Sequence, residues 1–139
     1  TCSAGTYVRT IAHDVGAALG VGGCLASLRR IANGPFTVDE AVTLDALDEA
    51  DPEDVRAQGI DVTTAVRRTL EVVEVTDDDL ARRLTQGRSI PAVGHRGPVA
   101  LVRPAAHGRG EQLLAIVADD ATGTRARPEL VWTRPEELR

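Results

Sequence analysis

The sequence predicts an α+β protein in two parts, a helix-led N-terminal part and a small β-rich C-terminal part. Three observations predict it. Apolar residues recur at helical spacing between Val8 and Leu19, and short β-branched runs bounded by Gly and Pro fill the chain from Leu70 onward. Between them lies an acidic, proline-interrupted stretch. With 139 residues shared between two parts, each core is modest. The chain has one Trp, one Tyr and one Phe, so the interior must be built from Ala, Val, Leu and Ile, and aromatic surfaces on which bases could stack are scarce.

Thr1 to Val8, with small and β-branched residues, predicts a strand that turns at Gly5 into a helix. In that helix Val8, Ile11, Ala12, Val15 and Leu19 share one face, and the glycine-rich stretch Gly16 to Gly23 ends it. Cys24, Leu25 and Leu28 predict a second short helix closed by Arg29, Arg30 and Asn33-Gly34-Pro35. Thr37 with Glu40 has the form of a capping box, and Thr43 before Leu44 and Leu47 caps a further helical turn. Asp48 to Asp61 reads as an exposed connection, and the boundary between the parts is placed between residues 65 and 66. Strands follow over 72–75, 99–102, 113–117 and 130–132, a spacing that suits a small barrel. One helix interrupts them, with Thr76 as N-cap, Asp77 to Asp79 in its first turn and Gly87 past its end. His107-Gly108-Arg109-Gly110 has the composition of a hairpin turn.

The net charge of −5 is unevenly spread: +2 over residues 1–36, −8 over 37–61 and +1 over 62–139. The acidic excess belongs to the middle, which leaves the flanks free to meet an anionic partner. Every cationic side chain but the histidines is arginine, whose planar guanidinium suits phosphates and stacks on bases. Arg82, Arg83, Arg88, Arg96, Arg103 and Arg109 are phosphate-contact candidates in the second part, diluted by Asp77 to Asp79 and Asp119-Asp120. Cys2 and Cys24 have no zinc-ligand spacing and read as buried reduced thiols. No apolar run is long enough to span a bilayer, and the composition points to a cytoplasmic protein.

The densest segment is Ser3-Ala4-Gly5-Thr6-Tyr7-Val8-Arg9 with Asp14-Val15-Gly16, where glycine, the sole tyrosine and a cation meet at a corner of the backbone. Cys2-Ser3, Gly5-Thr6-Tyr7-Val8-Arg9, Asp14-Val15-Gly16, Leu28-Arg29-Arg30, Gly34-Pro35-Phe36 and Thr43-Leu44 occur in that order. This series resembles the TruB family of tRNA pseudouridine synthases, whose segment reads Cys-Ser-Lys-Gly-Thr-Tyr-Ile-Arg followed by Asp-Leu-Gly, Leu-Arg-Arg and a Gly-Pro-Phe ending. It covers roughly the first third of the chain. Ala4 stands where the family commonly has lysine, and Cys24 where histidine is usual. The tail is similar in pattern to the PUA-like RNA-binding domain that ends many family members.

The resemblance implies that residues 1–65 are the C-terminal part of a mixed-sheet pseudouridine synthase catalytic domain and 66–139 a PUA-like domain. It implies an isomerase that converts the T-loop uridine of tRNA to pseudouridine, using an aspartate on a flipped-out base and neither metal nor cofactor. The family's aspartate lies in a Gly-x-Leu-Asp motif, and the chain contains no such motif, so the chain by itself is expected to be inactive. Arg9 would support that aspartate by keeping it ionised, Tyr7 would contact the flipped uridine and Leu28 would close the pocket against it. For Leu28 ordinary core packing stands as an equal alternative. Arg29 and Arg30 are either phosphate contacts or a solvated helix end. Asp14, the only carboxylate in the first 36 residues, corresponds to a structural helix position in the family. The implied partner is the T arm of tRNA, met by a monomer away from membranes. A non-catalytic RNA-binding module is the competing function.

Overall fold

The computed structural model describes residues 1–106 and 110–138. They form two compact units, Thr1–Ala41 and Val42–Arg139.

In the first unit, Ser3 to Thr6 form a turn in which the Thr6 N–H donates to the Ser3 carbonyl at 3.3 Å. Gly5 occupies the third position of that turn with φ +79, a left-handed conformation that suits a residue without Cβ. The strand expected over Thr1 to Val8 is therefore absent among the described residues: the turn interrupts it and no neighbouring strand pairs with it. Helix α1 (Val8–Ala18) follows as expected. Its C-terminus is closed by the Val21 and Gly22 N–H groups, which donate to the Gly16 carbonyl at 3.1 and 3.0 Å. Those bonds fold the glycine stretch back on the helix. A Cβ on Gly16 would lie 2.2 Å from the Gly22 carbonyl carbon, and one on Gly23 would lie 2.5 Å from the Ala12 oxygen.

The second helix expected around Cys24 to Leu28 does not form; residues 22–31 are irregular. Three apolar residues give too short a helical pattern to outweigh a chain that leaves Gly20 and Gly22 in left-handed φ and lies against α1. A small hairpin comes next, β1 (Ala32–Asn33) and β2 (Phe36–Thr37), with Gly34 at φ +57 between them. The Thr37 N–H donates to the Glu40 carboxylate at 3.2 Å, the expected box closing the 3-10 turn Val38–Glu40. Cys2 and Cys24, expected as buried thiols, are both exposed, since this unit buries only Gly16 among the described residues.

The second unit begins with α2 (Leu44–Glu49), α3 (Pro52–Gln58) and α4 (Val62–Thr69). The acidic stretch expected as an exposed connection is thus largely helical, although its side chains stay mostly exposed. Pro52 does not break a helix because it occupies the first turn of α3, where its missing N–H has no intrahelical role. The Thr43 hydroxyl accepts from the Ala46 N–H at 3.2 Å, capping α2 as expected. The boundary placed between residues 65 and 66 lies inside α4.

The sheet of this unit contains β3 (Glu71–Glu74), β4 (Ile90–Pro91), β5 (Val99–Arg103), β6 (Gln112–Asp119) and β7 (Arg125–Val131) in the order β3-β5-β6-β7-β4. β3 runs parallel to β5 and the other pairings are antiparallel, so the sheet is mixed, as the α+β expectation requires. Helix α5 (Asp78–Thr85) lies in the crossover. Its N-cap is Asp77, not Thr76: the Asp77 carboxylate accepts from the Leu80 N–H at 2.7 Å. Gly87, at φ +71, follows its end. Most of the hairpin turn expected at 107–110 lies outside the described residues.

The middle of the sheet is covered on both faces. Leu84 and Ala81 of α5 pack with Val99, Leu101, Leu114, Val117 and Ala126 on one side. Val66 of α4 packs with Ala100, Val102 and Leu113 on the other. This explains the uninterrupted apolar run in β5, since a strand buried on both faces has no polar side to alternate. Each fully buried Leu or Val contributes about 1.5–3 kcal/mol.

Candidate functional site

In the first unit, the Ser3–Thr6 turn sets the direction from which α1 starts. The Ser3 and Thr6 hydroxyls lie 3.2 Å apart and tighten it. Tyr7 is the N-cap residue of α1, with backbone φ −89, ψ 90, and its carbonyl accepts from the Thr10 N–H at 3.0 Å. Its side chain caps nothing, and the residue is 79% exposed. Arg9 stands in the first turn, exposed, with no carboxylate partner among the described residues. The positive end of the helix dipole is an unfavourable place for an unpaired cation and a favourable one for an incoming anion.

Asp14 is directed to His13, whose Nδ1 lies 3.2 Å from its Oδ1, and does not pair with Arg9. Leu28 is 59% exposed, so core packing does not explain it within this unit. Arg29 and Arg30 beside it are exposed on irregular backbone and not at a helix end. Tyr7, Arg9, Leu28, Arg29 and Arg30 therefore share the first unit and share exposure, but no hydrogen bond or ion pair joins them among the described residues. The apolar stripe of α1 is also open: Ile11, Val15 and Leu19 are more than half exposed, and only the Ala12–Gly16 side meets the returning chain.

In the second unit the arginines divide into tied and untied groups. Arg67 of α4 makes two parallel bonds to Glu111, at 2.8 and 2.6 Å, and a third to Glu74 at 3.3 Å. The Glu111 carboxylate raises its pKa further above the usual arginine value. Arg103 bonds Asp78, Arg82 bonds Asp79, and Arg83 donates to the Ser89 carbonyl. Three of the six expected phosphate contacts, Arg82, Arg83 and Arg103, thus already hold internal partners. Arg88 and Arg96 are exposed and have no hydrogen-bond or ion-pair partner among the described residues, and Arg109 lies outside them.

Two acids beside the strands are similarly occupied. Asp119 accepts from the Val93 and Gly94 N–H groups at 2.9 and 2.8 Å. Asp120 accepts from the Thr122 hydroxyl at 2.7 Å, which with backbone donors holds its pKa below the usual value. Sequence reasoning did not single out Arg125, Arg127 and Trp132, all exposed along or just beyond β7. The signal was present in the period-two spacing of Arg125 and Arg127 around buried Ala126.

Residues 9–76 match the family described as tRNA pseudouridylate synthase B C-terminal domain. The chain belongs to the TruB family. A relative from Thermobifida fusca, named tRNA pseudouridine synthase B, is 45% identical over 104 residues, 75% of this chain and 33% of its own length. Relatives of the same name from Nocardia farcinica and Rhodococcus jostii are 42% and 39% identical, each over 99% of this chain. The chain spans only 40% and 41% of those two TruB proteins. Among the described residues of this TruB chain, no helix is long and apolar enough to cross a membrane.

Proposed function

We propose that the chain serves within a tRNA pseudouridine synthase, an isomerase that rebonds the T-loop uridine of tRNA from nitrogen to carbon. In this reading the first unit supplies part of the pocket wall and the strand-rich unit is a PUA-like RNA-binding domain. The setting is the cytoplasm, and the enzyme acts as a monomer. One observation carries the reading: the left-handed Gly5 turn starts α1 so that Tyr7 and Arg9, within the family's ordered motif, both stand exposed at the positive helix end.

The chemistry follows from those groups. A carboxylate supplied by a segment other than this chain attacks or deprotonates the flipped nucleoside; Arg9 keeps it ionised, because a neighbouring guanidinium lowers a carboxylate pKa. The Tyr7 ring holds the detached uracil while it rotates, as stacking holds other flipped bases, and Leu28 bounds its other face. Arg29 and Arg30 meet the adjacent phosphates. No cofactor is required, since the reaction redistributes bonds without net oxidation.

Incubating the 139-residue chain with unmodified tRNA transcript tests this directly. Salt-dependent binding without pseudouridine formation is expected. Turnover by the chain alone would contradict the assignment of the nucleophile to another segment, and absence of tRNA binding would favour a purely structural role.

A further inference from the structure

The outward face of β7 combines features that the pocket does not use. Ala126 and Val131 of this strand turn inward: Ala126 belongs to the buried cluster, and Val131 pairs with fully buried Ala115. Arg125 and Arg127 alternate with Ala126 onto the opposite side. The extra residue Glu129, between the Ile116–Leu130 and Val117–Pro128 pairs, shifts the alternation so that Leu130 joins them, with exposed Trp132 directly after the strand. Leu130 is 46% and Trp132 53% exposed, an expensive way to place the only tryptophan of the chain unless something covers it. Helix α4 shields the neighbouring positions Ala100, Val102 and Leu113 but not these. Among the described residues neither Arg125 nor Arg127 has a carboxylate partner. Glu129, at the irregularity between Ile116 and Val117, is the one acid on the same strand, while Asp119 and Asp120 at its start are occupied by loop donors.

We propose that this face binds unpaired RNA, with Trp132 as a stacking platform and Arg125 and Arg127 as phosphate contacts. The proposal deepens the function above and rests on its assignment of the second unit to RNA. The strip from Arg125 to Trp132 is on the order of 20 Å long, room for a few nucleotides. Two cations at one end with an aromatic and an aliphatic side chain at the other match the pairing of backbone charge and base faces in a single strand. A duplex keeps its bases stacked and offers phosphates alone. The edge strand β4, only two residues long, leaves β7 open to approach from that side.

Trp132 reports on its own occupancy because no other tryptophan contributes emission. Titrating the chain with an eight-nucleotide oligouridylate is expected to quench its fluorescence in a salt-sensitive way; a duplex of equal length and inorganic polyphosphate are expected to leave it largely unchanged. Binding of labelled oligonucleotide, followed by anisotropy, should weaken roughly five- to 150-fold in Trp132→Ala. Trp132→Phe should retain most of the affinity. Should Trp132→Ala fail to fold by circular dichroism, Arg127→Glu provides the second variant, with weakened binding and unaltered emission of the free protein expected. Equal quenching by polyphosphate, or unchanged oligonucleotide affinity in the folded variant, would overturn the proposal. A chain that binds whole tRNA yet ignores oligouridylate would sink this face while leaving the proposed function standing.

Discussion

Gly16 shows how one missing side chain determines a local structure. Its Cα faces the returning backbone so closely that a methyl group would sit 2.2 Å from the Gly22 carbonyl carbon and 2.2 Å from the Gly23 nitrogen. Both obstacles are backbone, which cannot rotate away as a side-chain tip can. Gly16→Ala is therefore expected to detach the 20–23 loop from α1, seen as faster proteolytic cleavage within that loop and loss of helical circular dichroism. Unchanged protease resistance would mean that the loop finds another path. Arg9 and Arg67 show the contrasting fates of one residue type. Arg67 meets two carboxylates within its own unit, whereas Arg9 meets none among the described residues, so substitution of Arg67 should loosen α4 and substitution of Arg9 should leave the chain's own thermal stability unchanged.

Among elements, α4 gives the clearest pH dependence. Asp61 caps it by accepting from the Thr63 and Thr64 N–H groups and from the Thr64 hydroxyl, and the hydroxyl bond is the largest cause holding its pKa below 3.8. A lowered folded pKa means the unfolded chain binds the proton more readily. The stabilisation is complete above 3.8 and disappears as pH falls through the lower folded value. Asp61→Asn should flatten that part of the stability curve; an identical acid limb in both proteins would assign it to other carboxylates.

The legibility of the elements followed how local their causes are. Thr43, Thr37 with Glu40, and the Asp-rich start of α5 are capping signals satisfied within four residues, and they were readable. The α5 cap was misplaced by one residue because Thr76 and Asp77 are both competent, and the Asp77 carboxylate reaches the Leu80 N–H. β4 was invisible because two residues carry no periodicity; their pairing with Arg125 and Ala126 comes from tertiary structure. The strand at the N-terminus and the helix after Gly23 failed for the same reason in reverse. Local pattern favoured them, but they lacked a pairing strand or had their backbone committed elsewhere.

At the scale of the whole molecule, stability is unevenly distributed. The second unit contains both buried clusters, whereas the first buries only Gly16 among the described residues. Leu84→Ala, at a fully buried position between α5 and the sheet, is expected to cost about 2–5 kcal/mol. Calorimetry or denaturant unfolding should show it as a lowered transition of the second unit. A loss below about 1 kcal/mol would mean that α5 is not packed as described. The strands from residue 71 onward other than β4 and the helix after Asp77 were legible from periodicity and capping, but the acidic middle was not, because charge reports exposure and not backbone conformation. Among the candidate residues, the ordered motif around Tyr7 and Arg9 is a pattern the sequence displays, whereas the exposed cations of β7 stand out only once Ala126 between them is known to be buried.

The most direct test of Arg9 joins the chain to the remaining segment of the Nocardia farcinica relative, in place of the corresponding part of that protein, and measures pseudouridine formation on tRNA transcript. Arg9→Ala in this chimera should lower kcat by roughly 10²–10³, with little change in KM and an acid limb displaced to higher pH. An Arg9→Ala chimera that turns over as fast as the parent chimera, with the same pH profile, would show that this guanidinium faces no catalytic carboxylate.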